Sequence, residues 1–402
     1  MNVLYISKTS ILSGGGGGEE RADAITKSLA ERGHAVTVLS GKTTPNLPRH
    51  TTADDRSIVH IKCVPDGLFR WPTLAFYATR YLFAFLSLPV LASLLYRRDV
   101  EILIENMTPY PTFAVFLARF FGIPIVAVQH EFFDASSYDL YDPLTASIQL
   151  LVQNFLRLFE YEALIVPSAH TKGQFVRYGV AEDRIEVVPN GIRTDAYRRP
   201  AIEPEHGRLL VIGRLTKRKN HERLLRALRI VRDAGHSVRL DIAGEGPMRT
   251  RLEGVVEDLD LTTAVRFHGF VSEEHKATLL NRAQLFVFAS EQEGFGIVLL
   301  EAMSVGLPVV AAQLPVYREF VHDGENGHLI EDREPEAFAA EIEGLLEDPA
   351  SIEAMGQRAR ETAKQYTWES AAERTETVLK RVRSNGERGR TSSRTGNQIH
   401  DR

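Results

Sequence analysis

Two glutamates eight positions apart, Glu293 and Glu301, stand in the stretch from Glu291 to Met303, directly after the apolar run Leu285 to Ala289. The run reads as a buried strand. Gly294 and Gly296 break it, and Ile297, Val298 and Leu300 continue as a helix. Glu293 therefore falls in a strand-to-helix loop, and Glu301 falls about two turns into the helix. A helix start offers free N–H groups and a positive dipole end, which suits a diphosphate. Glycine lets backbone come close to such a ligand. A carboxylate at each end of the element could hold the hydroxyls of a nucleotide-sugar. The bland alternative is that Glu293 caps the helix and Glu301 is solvated.

Three further loops at strand ends carry candidates. Gly213-Arg214-Leu215-Thr216-Lys217-Arg218-Lys219-Asn220 follows the run Leu209–Ile212. Arg214 and Lys219 could neutralise a diphosphate, Arg by a two-pronged contact and Lys as a point charge. The alternative is a solvated basic loop. Gly244-Glu245-Gly246-Pro247 follows Val238–Ala243 and reads as a close backbone approach with Pro at a helix start. His130, in Gln129-His130-Glu131, ends the run Ile125–Val128 and could hydrogen-bond substrate hydroxyls. A lone histidine is more often structural, but a polar triplet ending such a run favours the cleft. Asp258-Leu259-Asp260 has a D-x-D spacing but lies at the end of a surface helix, and no other cluster has metal spacing. No metal and no cofactor is expected.

The elements that must position these groups follow from the pattern. At 402 residues the chain favours two domains. A net charge of −5 gives no drive toward nucleic acid. The single cysteine, Cys63, excludes an internal disulfide and suits a reducing compartment. The start of the chain lacks a signal peptide's features and reads as the first strand. A cytoplasmic location is expected, with membrane association as an option. The option comes from Trp71 to Tyr96, apolar and aromatic with Arg70, Arg80, Arg97 and Arg98 around it. That segment reads as a buried helix, a surface helix dipping into a membrane or, least favoured, a span, which wants about 20 apolar residues.

Strands and helices alternate through residue 188, as in a doubly wound fold. Gly14 to Gly18 follow the first strand and read as a ligand-facing loop rather than a flexible linker. Residues 41–57 read as loop, Ile58–Val64 as a strand and Leu144–Tyr161 as a long helix. The expected organisation is a first domain over 1–190, a linker over 191–207 and a second domain over 208–365. A terminal helix over 366–383 crosses back to the first domain, and a disordered tail runs over 384–402. Helices are expected near 335–347 and 351–383. The site should lie in the cleft at the carboxyl ends of the strands.

Gly213-Arg214-Leu215…Lys219-Asn220, Gly244-Glu245-Gly246-Pro247 and Glu293-Gly-Phe-Gly…Glu301-Ala together resemble the retaining GT-B glycosyltransferases of family 4. So do Gly33-His34-Ala-Val-Thr-Val and Pro189-Asn190-Gly191. The resemblance covers about residues 1 to 383. It implies an α/β chain of two Rossmann-like doubly wound domains facing across a cleft. It also implies a nucleotide-diphosphate sugar donor, metal-independent transfer with retention, and a glycan or lipid-linked acceptor. Arg214 and Lys219 would hold the diphosphate, Glu293 the transferred sugar and Glu301 the ribose. His130 would lie near the sugar's 6-hydroxyl. Gly15 and Gly16 would face donor and acceptor, and Gly213, Gly244, Glu245, Gly246, Gly294, Phe295 and Gly296 would complete the donor site. The glycine run is longer than the family's usual pair, and Glu105-Asn106 stands where relatives often carry a His. A nucleotide-sugar 2-epimerase on the same scaffold and a non-catalytic nucleotide-sugar-binding protein are the competing readings.

Overall fold

The computed structural model describes all residues except 13–15, 98, 108–110, 134–136, 141–142, 144–145, 148–149, 152–153, 155–158, 160, 195, 200 and 397–402. The chain forms two compact units. One holds residues 1–138, 142–190 and 368–402, and the other holds 139–141 and 191–367.

The first unit is built on an eight-stranded sheet of order β3-β4-β2-β1-β5-β6-β7-β8. Its strands are β1 (Asn2–Ser7), β2 (Ala35–Gly41), β3 (His50–Ala53), β4 (Arg56–Ile61), β5 (Ile102–Asn106), β6 (Ile125–Val128), β7 (Ala163–Val166) and β8 (Ile185–Val187). All neighbours are parallel except β3 against β4. The central strands are continuous apolar runs because both faces of a parallel sheet are covered. Helices α1 (Gly17–Glu31), α2 (Pro72–Leu86), α3 (Leu88–Arg97) and α4 (Ala114–Phe121) belong to this unit.

Three sequence expectations change here. The 41–57 loop contains β3, and β4 begins at Arg56, so 50–61 is a hairpin. Asp54 and Asp55 take φ of 47° and 59°, the left-handed pair that a two-residue hairpin turn needs. The polar edge strand His50-Thr-Thr-Ala carries no apolar alternation to announce it. The 71–96 segment is two helices, broken by 46° between Leu86 and Leu88, where Ser87 and Pro89 interrupt the apolar pattern. Among the described residues no single helix is long and apolar enough to cross a membrane. The helix expected over 144–161 falls largely outside the described residues.

The second unit has a six-stranded sheet of order β11-β10-β9-β12-β13-β14, parallel throughout. Its strands are β9 (Arg208–Ile212), β10 (Arg239–Ala243), β11 (Val265–Gly269), β12 (Leu285–Phe288), β13 (Val309–Ala312) and β14 (Gly327–Ile330). The order reverses at β9, whose neighbours are β10 on one side and β12 on the other. The loops leaving the carboxyl ends of β9 and β12 flank that reversal, where open α/β sheets bind ligands.

The 191–207 segment, expected as linker, is packed into the second unit. Ile192 and Tyr197 are buried, and the N–H of Ile192 donates to Tyr366 O at 2.9 Å. The bridge from Ile192 to Thr367 also divides the helix expected over 351–383. The structure has Pro349–Ala363 and Trp368–Gly396 instead. The last helix packs against α1. His34 Nε2 meets Glu376 Oε1 at 2.9 Å, and Arg383 pairs with Glu101 at 2.8 Å. It runs to Gly396, past the expected end at 383.

Candidate active site

In the second unit the β9 loop passes through a short turn, Lys217–Lys219, to Asn220. Asn220 sits at φ 43° and caps the helix His221–Asp233 by accepting from the N–H of Arg223. The β12 loop is tied to it at three points. Glu291 N–H donates to Arg218 O at 2.8 Å. Asn220 Nδ2 and Arg223 Nη2 both donate to Glu291 Oε1, at 2.8 and 3.1 Å. Inside this frame Lys219 Nζ donates to Glu293 Oε1, and Ser290 Oγ donates to the same oxygen at 2.7 Å. The Lys219 ammonium also lies 4.7 Å from the centre of the Phe288 ring. Burial pushes the Glu293 carboxyl up, but Lys219, Arg218 and the Ser290 hydroxyl outweigh it and hold it below its ordinary value of 4.5. An ionised carboxylate and an ammonium are thus held together at the end of the sheet.

Glu301 repeats the theme on the helix Ile297–Ser304. Its Oε1 lies 2.8 Å from the Tyr197 hydroxyl and 2.7 Å from Lys276 Nζ. The Tyr197 hydroxyl also lies 2.7 Å from Glu273 Oε2. Burial and the two carboxylates push the Tyr197 phenol far above its ordinary value. Two glycines fix the loop shape. Gly244 has φ 143°, and a Cβ there would lie 2.0 Å from Gly213 O. Gly296 has φ 92°, and a Cβ there would lie 2.6 Å from the Tyr317 ring.

In the first unit His130 follows β6 and its Nε2 lies 3.2 Å from Asn106 Oδ1. Asn106 ends β5, and its carbonyl accepts from the buried Lys8 Nζ at 2.5 Å. A Cβ on Gly18, in the first turn of α1, would lie 3.4 Å from the His130 ring. Burial lowers the imidazole's affinity for a proton, and Arg21 and Lys8 lower it further, to about 3. His130 is therefore a neutral ring whose Nε2–H donates to the amide oxygen, leaving Nδ1 as an acceptor. Arg21 is buried on α1 and donates to Val188 O at 2.9 Å and Asn190 Oδ1 at 2.6 Å. The Pro189-Asn190-Gly191 turn thus anchors α1. Burial raises the Glu105 carboxyl and lowers the Lys8 ammonium.

Residues 15–196 match the family Glycosyltransferase Family 4, and residues 193–362 match Glycosyl transferases group 1. The chain belongs to the GT-B glycosyltransferases, family 4 and group 1. Among curated relatives it is 30% identical over 241 residues to an uncharacterized glycosyltransferase of Methanocaldococcus jannaschii. That match takes in 56% of this chain and 62% of the relative's length. Two solved structures share the fold. Sucrose-phosphate synthase from Thermosynechococcus elongatus has a TM-score of 0.78 at 21% identity, covering 96% of this chain and all of that one. The Anabaena protein HepE in complex with UDP and glucose has a TM-score of 0.72 at 19% identity, covering 94% and 99%.

In this GT-B chain the sequence-expected residues fall into two groups. Lys219 and Glu293 meet directly, and Gly213 adjoins Lys219. Arg214 and Glu245 are exposed at the same loop edge. Gly244 and Gly246 also have a structural part. They let the β10 loop press on the β9 loop, where a Cβ on Gly246 would lie 2.3 Å from Leu215 O. Phe295 turns its ring into the core against Phe320 and Tyr366. Gly294 lies in the loop beside Glu293. Gly16 precedes α1, and its N–H donates to Glu19 Oε2 at 3.2 Å. Gly15 lies outside the described residues. The sequence reading missed Ser290, Tyr197 and Lys276. Tyr197 carried one signal, a lone aromatic in a segment otherwise rich in Arg, Pro and Glu. Among the described residues no group of three His, Cys, Asp or Glu is placed to hold a metal ion.

Proposed function

We propose that the protein is a retaining glycosyltransferase that moves a hexose-type sugar from a nucleotide-diphosphate sugar to a hydroxyl of a glycan or lipid-linked acceptor, without a metal ion. The carrying observation is the Lys219–Glu293 pair at the reversal between β9 and β12. Lys219 and Arg214 would offset charge developing on the departing diphosphate. Glu293 would accept hydrogen bonds from the transferred sugar, and Glu301 from the ribose. His130, neutral with Nδ1 free to accept, would take a bond from a sugar hydroxyl. Gly15, Gly16 and Gly213 would let backbone approach the ligand, with Gly294 and Gly296 shaping the Glu293 loop.

In the transfer step the bond from the anomeric carbon to the diphosphate oxygen breaks on the face where the acceptor oxygen arrives. The new carbon–oxygen bond forms on that face, and the leaving phosphate oxygen takes the acceptor proton. The configuration is kept without a side-chain nucleophile. A UDP donor is supported by the HepE structure, whose fold this chain shares and which holds UDP and glucose. Membrane contact through 71–96 belongs to this reading, since a lipid-linked acceptor sits at a bilayer.

The test is incubation of the purified protein with UDP- and GDP-sugars and an acceptor panel, in EDTA, with the product's anomeric configuration read by NMR. Retained configuration in EDTA is the expected result. An inverted product, dependence on added metal, or remodelling of the donor without an acceptor would each overturn a named part of the proposal.

A further inference from the structure

The outer surface of α2 and α4 is apolar where a helix facing water is normally polar. On α2, Leu74, Tyr81, Leu82 and Phe85 are exposed, at spacings that put them on one face, while Ala75, Thr79 and Phe83 are buried on the other. On α4, Phe116 and Phe120 are exposed one turn apart, and Ala114, Val115 and Ala118 are buried. Phe120 is 82% exposed. The two helices share one surface. The Phe85 ring lies 5.1 Å from Phe113, and Phe113 lies 6.3 Å from Phe116. Trp71 at the start of α2 and Tyr96 near the end of α3 are also exposed, at 68% and 80%.

The charge pattern is one-sided. No Asp or Glu lies between Asp66 and Asp99, or between Glu105 and Glu131. Arg70, Arg97 and Arg119 are exposed in those stretches. A face of aromatics on helices that carry cations and no carboxylate complements anionic headgroups above an acyl layer. A second copy of the same face would set arginine against arginine. The break between α2 and α3, and the shortness of both helices, fit an element that lies on a bilayer rather than one that spans it.

We propose that α2, α3 and α4 form a docking face for an anionic bilayer. Phe85, Phe116 and Phe120 enter the boundary between headgroups and acyl chains, and Arg70, Arg97 and Arg119 meet lipid phosphates. This deepens the membrane contact in the function proposed above and rests on that reading for its purpose. The docking itself does not depend on transfer.

The experiment is co-sedimentation of the full chain with vesicles of phosphatidylcholine alone, and with vesicles of phosphatidylcholine and phosphatidylglycerol in equal parts. The wild type should sediment with the anionic vesicles, less so as salt rises. Phe85→Ser with Phe120→Ser should abolish this. Arg97→Glu and Arg119→Glu should each weaken it at least about fivefold. Melting temperature, and its shift with UDP, should stay at the wild-type value in every variant. That readout separates loss of docking from loss of fold or of the donor site. No sedimentation of the wild type with anionic vesicles would overturn the proposal, as would unchanged sedimentation of the Phe variant. A dimer in analytical ultracentrifugation that the Phe variant dissolves, without vesicle binding, would assign the face to a second copy instead.

Discussion

The two units share a parallel-sheet architecture but handle charge and apolar surface in opposite ways. The second unit sets two candidate carboxylates against lysines, Glu293 with Lys219 and Glu301 with Lys276. Among its described residues Phe270 is the one large apolar side chain that is exposed. The first unit keeps its candidate histidine neutral among cations and exposes Trp71, Phe85, Tyr96 and Phe120. Ionic pairs fixed before a ligand arrives suit a charged donor, since they need no reorganisation as charge develops. A neutral ring and an apolar outer face suit hydroxyls and lipid. On the function proposed above, one fold would serve two kinds of partner through the groups at its strand ends and on its outer helices.

The sharpest way to break the contrast is to break the Lys219–Glu293 pair. Lys219→Met and Glu293→Gln should each lower kcat/KM about a hundredfold or more if they act on the transition state. The double variant should lose less than the sum of the two, because the residues form one unit. Additive losses in steady-state kinetics would show that they act separately. The Glu293 carboxyl is held low in the folded state, so its stabilising contribution is present at neutral pH. That contribution is lost as the pH falls below the ordinary value of 4.5. The acid limb of the melting curve should flatten in Glu293→Gln.

A smaller effect is expected at the loop junction. Gly244→Ala places a methyl group 2.0 Å from Gly213 O and strains a backbone at φ 143°. The β9 loop must move, with a loss of about 1–3 kcal/mol of stability and weaker donor binding. Denaturant titration and calorimetry measure the two. Tyr197→Phe removes the hydroxyl beside Glu301 at 2.8 Å. It should raise the donor KM about fivefold with kcat little changed, the scale of one hydrogen bond.

The smallest expected effect lies in the first unit. His130 is neutral when folded down to about 3, against an ordinary value of 6.5. The unfolded chain therefore binds the extra proton first, and stability falls as the pH drops from 6.5 towards 3. His130→Asn should remove that slope. Asn106→Asp should raise the imidazole midpoint against the opposing fields of Arg21 and Lys8, and it should put a new pH dependence into kcat/KM near neutrality. The midpoint is read by NMR titration of the ring. An unmoved midpoint would mean that Asn106 does not set the state of His130.

Most of the succession of strands and helices along the chain was legible because buried parallel strands are short apolar runs, as at Leu285–Ala289 and Ile125–Val128. The pairing of Lys219 with Glu293 was partly legible, since both residues fall in loops at strand ends. Tyr197 and Lys276 were not. They reach Glu301 from other segments, Tyr197 through the packing of residues 191–207 and Lys276 from the helix Glu273–Arg282. The β3–β4 hairpin was hidden because its edge strand is polar and its turn uses Asp54-Asp55 rather than a glycine. That Gly244 presses on the β9 loop was hidden for a related reason. Sequence shows that a backbone comes close, but not whether the approaching group is a ligand or another loop.

The most direct test of the central claim is calorimetric titration of UDP and GDP, in EDTA, into the wild type and Lys219→Met. We expect one of the two nucleotides to bind the wild type and to bind Lys219→Met at least about tenfold more weakly, from loss of a charge-assisted contact to the diphosphate. Equal affinity in both proteins, or no binding of either nucleotide by a folded wild type, would contradict a donor site built on Lys219 and Glu293.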